Sequence, residues 1–259
     1  MKTATRITGI LLLFIFQSFW AVAQQSNDYQ AYWIHEDQAK PSMAKKHENV
    51  DKELIAACKE FKVGDKGWST LATTDYKYFY ITPIEKMADL DTNPFADLAK
   101  KMGEEKMGKI FEKYEDCYDA HGDYILILDK KLSYQPGGIN TTPAGQNYRE
   151  NTRYHFSPEN AKKANELAKK FHKLYTEKGS KQHYRLYRNG FGTMGNYFLV
   201  AVAAESPEAM ERMSSENRKL LGQEGQALFA ELEQLVSKVE TIRGYMRPDL
   251  SYSPAVANN

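Results

Sequence analysis

The feature that most constrains how this chain can fold is an internal repeat with a nearly constant offset. The triplet Leu132-Ser133-Tyr134 recurs as Leu250-Ser251-Tyr252, 118 residues later. Similar spacing, from 118 to 120 residues, relates three more segment pairs: Tyr78-Phe79 with Tyr197-Phe198, Ile110-Phe111 with Leu228-Phe229, and His35 with His155. Self-similarity at a fixed period indicates a repeated structural unit. We therefore predict two copies of one unit, at residues 24–134 and 153–254, with a linker at 135–152 and a tail at 255–259.

The N-terminal residues 1–23 have the pattern of a signal peptide. Lys2 and Arg6 precede a short apolar run at residues 10–16, and Ala21-Val22-Ala23 forms a cleavage site of small residues. Later in the sequence, no apolar segment approaches the length needed to cross a bilayer. We therefore expect an exported protein, periplasmic or extracellular, that does not insert into a membrane once the signal is removed.

The overall charge argues against nucleic acid as a partner. The sequence holds 35 basic and 34 acidic residues, so it generates almost no net field. Its 42% hydrophobic and 27% charged residues are typical of a globular protein with a packed core. The notable excess is in tyrosine, with 17 residues, which suits strands and half-wet cavities as well as ordinary exposed surface.

The two cysteines, Cys58 and Cys117, are predicted to be free thiols. Both fall near the C-terminal ends of predicted helices in the first unit, and antiparallel helices would hold the two sulfurs too far apart to bond. An oxidising compartment nevertheless leaves a disulfide open as the alternative.

Each predicted unit has the element order βαββαβ. In the first unit a strand at residues 29–36 precedes a helix that begins near Ser42, two paired strands cover 68–83, a second helix begins at Pro94, and a strand at 124–128 closes the unit. The same order follows residue 153. This order is typical of a ferredoxin-like unit, a four-stranded antiparallel sheet with both helices on one face. Two such units can bury their uncovered faces together, which predicts an α+β fold of two tandem ferredoxin-like units forming an intramolecular pseudo-dimeric α+β barrel.

With this element order, the repeat and the segment YFYITPIEKMADLD at 78–91, the chain resembles the dimeric α+β barrel superfamily, which includes antibiotic biosynthesis monooxygenase-like and NIPSNAP-like domains. The resemblance implies a small ligand in the space between the two sheets, haem in some members and aromatic substrates in others. It brings no diagnostic catalytic motif.

Strand alternation predicts which side chains face that space. Phe79, Ile81, Phe198 and Val200 suit the faces covered by helices, so their neighbours should point the other way. The predicted ligand-binding residues are Trp33, Tyr78, Tyr80, Arg153, Tyr197, Arg243 and Tyr245, accompanied by His35 and His155. Aromatic rings and guanidinium groups suit a small aromatic or anionic molecule. The alternative is that the large side chains simply fill the gap between the sheets.

The histidines are the candidates for chemistry. His35 and His155 occupy matched positions and are the candidate bases of a monooxygenase-like reaction, although duplication of a surface residue also explains the match. Cys117 and His121 lie four apart on a predicted helix but lack a third ligand, so we predict no metal site. No cofactor is predicted. The alternative is haem, for which the candidate ligands are His47 and His172, because the resemblance implies a ligand on the first helix of a unit.

The resulting functional hypothesis is an exported protein that binds a small aromatic or anionic molecule between its two sheets and has monooxygenase-like activity. The alternative is a non-catalytic interaction module of the cell envelope, because tyrosine is common in recognition surfaces. The sequence identifies no protein partner.

Overall fold

The computed structural model describes residues 28–64 and 66–254, so the predicted signal peptide and tail lie outside the described residues. Within these ranges the chain forms eight strands and five α-helices. The strands are β1 (Tyr29–Ala39), β2 (Ser69–Thr73), β3 (Lys77–Ile84), β4 (Tyr118–Tyr134), β5 (Tyr148–Phe156), β6 (Tyr184–Asn189), β7 (Asn196–Ala204) and β8 (Val236–Met246). The helices are α1 (Ala44–Glu60), α2 (Ala96–Met102), α3 (Glu104–Glu112), α4 (Ala161–Lys178) and α5 (Pro207–Leu235).

The strands close into a single antiparallel barrel, in the order β1-β3-β2-β8-β5-β7-β6-β4. The first half of the chain supplies the neighbouring strands β4-β1-β3-β2, and the second half supplies β6-β7-β5-β8. The halves meet at two seams, where β2 pairs with β8 and β4 pairs with β6. The prediction of an α+β barrel is therefore confirmed. None of the helices in the described part of the chain is long and apolar enough to cross a membrane.

The barrel wall separates an interior apolar core from two large apolar cores under the helices. The interior is filled by strand residues alone, among them Ile34, Phe79 and Leu199. Outside the barrel, α1, α2 and α3 pack on the first-half strands, and α4 and α5 pack on the second-half strands. Most strands are thus covered on both faces, by the interior on one side and by helices on the other, whereas the outward face of β8 is exposed at Val239 and Tyr245.

In the first half, the predicted facing of the strand residues is wrong. Phe79 and Ile81 point into the barrel interior, whereas Tyr78 and Tyr80 point to α1. Trp33 and His35 share the face of Tyr80, because β1 and β3 pair with His35 opposite Tyr80. The physical reason lies in α1, whose Glu48 and Asp51 accept hydrogen bonds from the hydroxyls of Tyr78 and Tyr80.

In the second half, the facing prediction holds for β5 and β7 and is wrong for β8. Phe198 and Val200 pack towards α4 and α5, and Tyr197 lies in the barrel interior. Arg243 and Tyr245 point outward instead: the Arg243 side chain is 57% exposed and binds Glu150. The alternation on β8 is shifted by one residue from the prediction because Ile242 and Met246 take the interior positions.

Several element boundaries also differ from the prediction. The helix predicted after Pro94 is divided into α2 and α3 at Gly103, whose φ of 98° a helix cannot adopt. The closing strand β4 starts at Tyr118, so Cys117 precedes a strand and does not lie in a helix. Cys58 and Cys117 are nevertheless buried free thiols, as predicted.

We predict that the seam between β2 and β8 requires a glycine at position 244. Gly244 pairs with Thr73, and a Cβ atom there would lie 2.2 Å from the carbonyl oxygen of Ala72. Gly244→Ala should therefore lower the free energy of unfolding by about 1–3 kcal/mol, measured by urea denaturation. Gly137→Ala is the control, because a Cβ atom at Gly137 meets nothing within 4 Å. Equal stability of the two variants would contradict this account of the seam.

Candidate functional site

A cavity of about 1110 Å³ lies between the first-half strands and their helices. Its walls are rich in aromatic rings: Trp68 packs edge-on against Phe95, and Phe95 packs against Phe111. Trp33 and Tyr80 line it from the strands. The corresponding space in the second half, between the strands and α4 and α5, is a cavity of about 400 Å³. Among the described residues, no histidine and no cysteine lines the smaller cavity.

A buried carboxylate on α1 forms part of the wall of the larger cavity. Asp51 is only 4% exposed and accepts hydrogen bonds from the hydroxyl of Tyr80, at 2.8 and 2.9 Å, and from that of Tyr114, at 2.8 Å. Burial raises the pKa of Asp51 to about 6, although His47 and the two phenols favour the carboxylate. Burial also raises the pKa of both phenols, so they remain protonated and donate to Asp51.

Two short motifs on neighbouring strands form a square of histidine and aspartate at the edge of this cavity. The residues His35-Glu36-Asp37 of β1 run antiparallel to His121-Gly122-Asp123 of β4, with His35 opposite Asp123 and Asp37 opposite His121. The Nδ1 atom of His35 lies 2.9 Å from Asp123 Oδ1, and its Nε2 atom lies 3.1 Å from Asp37 Oδ1. The rings of His35 and His121 are 5.6 Å apart between centroids.

The charges of this square shift the ionisation of its members. Burial alone would lower the pKa of His35, but the carboxylates of Asp37 and Asp123 outweigh it and raise that pKa to about 9. Burial would raise the pKa of Asp37, and the two imidazoles of His35 and His47 bring it below its usual value.

His47 connects the square to the carboxylate in the cavity wall. It is fully buried, with Nε2 3.1 Å from Asp37 Oδ2 and Nδ1 3.7 Å from Asp51 Oδ2. Its ring stacks beside Tyr78, 4.6 Å between centroids. The side chain thus lies between two carboxylates on a single wall of the cavity.

The residues predicted to share one ligand site fall into three places. Trp33, His35 and Tyr80 line the large cavity, and Tyr78 lies behind it against His47. Arg243 and Tyr245 point outward and lie outside the barrel wall. The remaining predicted residues, Arg153, His155 and Tyr197, lie inside it and belong to the barrel interior.

The interior residues form a packed polar network. The guanidinium of Arg153 donates to the Tyr124 hydroxyl at 3.1 Å and lies 5.5 Å from the centre of the Tyr197 ring. Tyr124 in turn donates to Glu36 at 3.1 Å, and His155 lies 2.6 Å from Glu240. These contacts fit the alternative in which large side chains fill the interior.

Sequence reasoning missed the acidic members of the site, Asp37, Asp51 and Asp123. It also missed Tyr114, whose phenol donates to Asp51. A usable signal was present, because the pattern His-x-Asp occurs at 35–37 and again at 121–123. In addition, His47 and Asp51 are four residues apart and so lie on one face of α1.

The two histidines considered for haem do not fit that role. His47 is enclosed between two carboxylates, and His172 packs edge-on against Tyr134. Neither residue lines either of the two cavities. Neither side chain is therefore placed to ligate a haem held in one of these two cavities.

Comparison with known proteins identifies solved structures of the same fold. No family model matches the sequence, and no curated protein matches it. A crystal structure of an anthrone oxidase-like protein superposes with a TM-score of 0.58 and 12% identity, covering 86% of this chain and 92% of that one. A candidate monooxygenase from Lactobacillus acidophilus gives a TM-score of 0.53 at 8% identity, covering 87% and 97%. A candidate monooxygenase from Fusobacterium nucleatum gives 0.51 at 9% identity, covering 85% and 93%.

Identities this low establish the fold alone. Because these structures match over most of both chains, the protein shares their fold, in agreement with the resemblance found in its sequence.

Proposed function

We propose that the protein binds a planar aromatic small molecule in the 1110 Å³ cavity and oxidises it in an oxygenase-like reaction, with Asp51 as the base. The observation that carries this proposal is a buried carboxylate, held by two phenols, in the wall of a large aromatic cavity. The shared fold with proteins described as anthrone oxidase-like and as candidate monooxygenases supports the same reaction class.

The shape and lining of the cavity favour an aromatic ligand. Its volume lies just above the usual range of small-molecule sites, about 300–1,000 Å³, and such sites are mostly apolar with a few placed polar groups. Trp33, Trp68, Phe95 and Phe111 offer ring faces and edges for stacking. Asp51 and Tyr80 supply polar groups in the same cavity wall.

Anthrone represents the proposed substrate class because it is planar and has an acidic methylene group. Asp51 would accept one methylene proton, and the resulting carbanion would reduce O₂ to a carbon-bound hydroperoxide. Loss of the second methylene proton then cleaves the O–O bond. The products are anthraquinone and water, so one oxygen atom enters the new carbonyl and the other leaves as water. A carboxylate with a pKa near 6 is ionised at neutral pH yet basic enough to accept a proton.

We further propose that the two halves are tandem ferredoxin-like units of which only the first kept this site. Residues 117 apart lie on equivalent faces: Ile34 and Asn151 both face the interior side, and Val50 and Leu167 are both buried helix residues. At this spacing His47 and Asp51 correspond to Ala164 and Ala168. The helix α4 therefore has methyl groups at the positions where α1 has an imidazole and a carboxylate.

Ligand binding is predicted to depend on the open volume of the cavity. Thr82 lines the cavity from β3, so Thr82→Phe should weaken binding of the fluorescent probe anilinonaphthalene sulfonate at least about tenfold. Fluorescence titration measures this change. Thr142→Phe, at an exposed position outside the cavity, is the matched control and should bind as the wild type does. Unchanged binding in both variants would place the probe elsewhere and contradict the proposed binding site.

Oxidation is predicted to require the ionised form of Asp51. With anthrone as substrate, kcat/KM for O₂ uptake should rise with pH through about 6 and then level off, because the protonated carboxyl cannot accept a proton. Asp51→Asn should lower kcat/KM by about 100-fold or more, measured with an oxygen electrode against the buffer rate. The control Asp91→Asn changes an exposed carboxylate and should have no effect. A fully active Asp51→Asn variant would disprove the role of this base.

Export is proposed from the N-terminal sequence and predicts a mature chain that begins at Gln24. Leu12→Arg places a charge in the apolar run and should leave an uncleaved precursor, whereas Thr5→Arg in the basic region should be processed normally. Intact-mass measurement of the protein from fractionated native host cells tests this. A full-length wild-type chain in the cytoplasmic fraction would contradict export.

A further inference from the structure

We propose that His35, Asp37 and His121 bind one divalent first-row transition-metal ion at the edge of the large cavity. The inference deepens the proposed function and rests on it for the use of the cavity, but the site itself is defined by the square of His-x-Asp motifs. The candidate ligand atoms of the three residues all lie within 4.8 Å of one another.

The contact between His35 and Asp37 is the strongest indication of a bound cation. Nδ1 of His35 is paired with Asp123, which leaves Nε2 directed towards Asp37 Oδ1 at 3.1 Å. That oxygen is buried, and it accepts no hydrogen bond of normal geometry from any described residue. When Nδ1 carries the proton, a lone pair on Nε2 faces a carboxylate oxygen. Two such groups at this distance require a cation between them, either a proton or a metal ion.

The spacing of the atoms fits a shared metal ion. Ligands bound at about 2.1 Å and at right angles to each other are separated by about 3.0 Å, close to the observed 3.1 Å between His35 Nε2 and Asp37 Oδ1. His121 lies directly across from Asp37 on β4, on the same face of the sheet. Two imidazoles and one carboxylate form the ligand set of many non-haem iron centres and also suit zinc, cobalt and manganese. Three protein ligands would leave further coordination positions for water or a bound molecule.

The surrounding residues provide the outer-shell contacts of a metal site. Asp123 accepts from His35 Nδ1 at 2.9 Å and from the Trp33 indole at 2.8 Å, which fixes the orientation of the imidazole. His47 donates to the second oxygen of Asp37 at 3.1 Å and so directs the first oxygen towards the metal position. Carboxylates hydrogen-bonded to ligating histidines are a common feature of metal centres, where they set the tautomer of the ring.

The test measures binding of the metal alone. The mature protein, prepared without a polyhistidine tag and treated with chelator, is titrated with Co²⁺ and followed by its d–d absorption, with Zn²⁺ binding followed by calorimetry. We expect one ion per chain. His121→Ala should weaken affinity at least tenfold, and this exposed position should tolerate alanine without loss of the fold. Asp123→Asn should weaken it by about 10–100-fold through the orientation of His35. The matched control His172→Ala removes a histidine distant from the square.

The outcomes separate this inference from the proposed function. Binding that is lost in His121→Ala and Asp123→Asn but retained in His172→Ala supports the metal site. No binding, or binding equally strong in all variants, overturns it and leaves the proton as the cation between His35 and Asp37. Probe binding in the cavity is measured on the same metal-free samples. If the probe binds while no metal does, only the metal site fails; if metal binds while the probe does not, only the proposed cavity function fails.

Discussion

Closure of the eight strands into a barrel with helices outside buries both faces of most strands, and the remaining structure depends on this constraint. The exception is the outward face of β8, where Val239, Arg243 and Tyr245 stay exposed. The other strands place one set of side chains in the interior and the alternate set under helices. A polar side chain on either face therefore needs a protein partner, because a buried polar group without one is costly. In the first half these partners come from α1. Its Glu48 and Asp51 bind the hydroxyls of Tyr78 and Tyr80, and its His47 binds Asp37.

The same constraint explains what the sequence could predict. Element order, the α+β barrel and the two free thiols follow from periodicity and turn residues, which do not depend on which face is inside. The facing of strand residues was predicted correctly for Tyr197 and Phe198 and wrongly for Tyr78 and Phe79. When both faces of a strand are buried, apolar and polar residues no longer mark inside and outside. A shift of one residue then reverses every assignment on the strand.

One matched pair of the sequence repeat, His35 and His155, shows such a reversal of strand face. His35 and His155 are 120 residues apart and were aligned, yet His35 faces α1 and His155 faces the barrel interior. A spacing of 117 keeps the faces of β1, β5, α1 and α4 in agreement, which pairs His35 with Thr152. The site could therefore not be located by assuming that matched histidines share a role. It follows instead from a strand register that sequence spacing does not determine, the pairing of residues 35–37 with 121–123.

The contrast between the halves shows how one fold can carry chemistry on only one side. The helix α4 presents Ala164, Leu167 and Ala168 to the smaller cavity, so at these positions it contributes neither an imidazole nor a carboxylate. In α1 the corresponding face carries His47, Val50 and Asp51. His47 lies 3.1 Å from Asp37 and 3.7 Å from Asp51, so a single imidazole separates the proposed metal ligand from the proposed base. Because His47 between the two carboxylates is fully buried, solvent screens their interaction weakly. A positive charge beside Asp37 would therefore also stabilise the carboxylate of Asp51. The proposed cation at the edge of the cavity and the proton on Asp51 would thus be coupled through the buried side chain of His47.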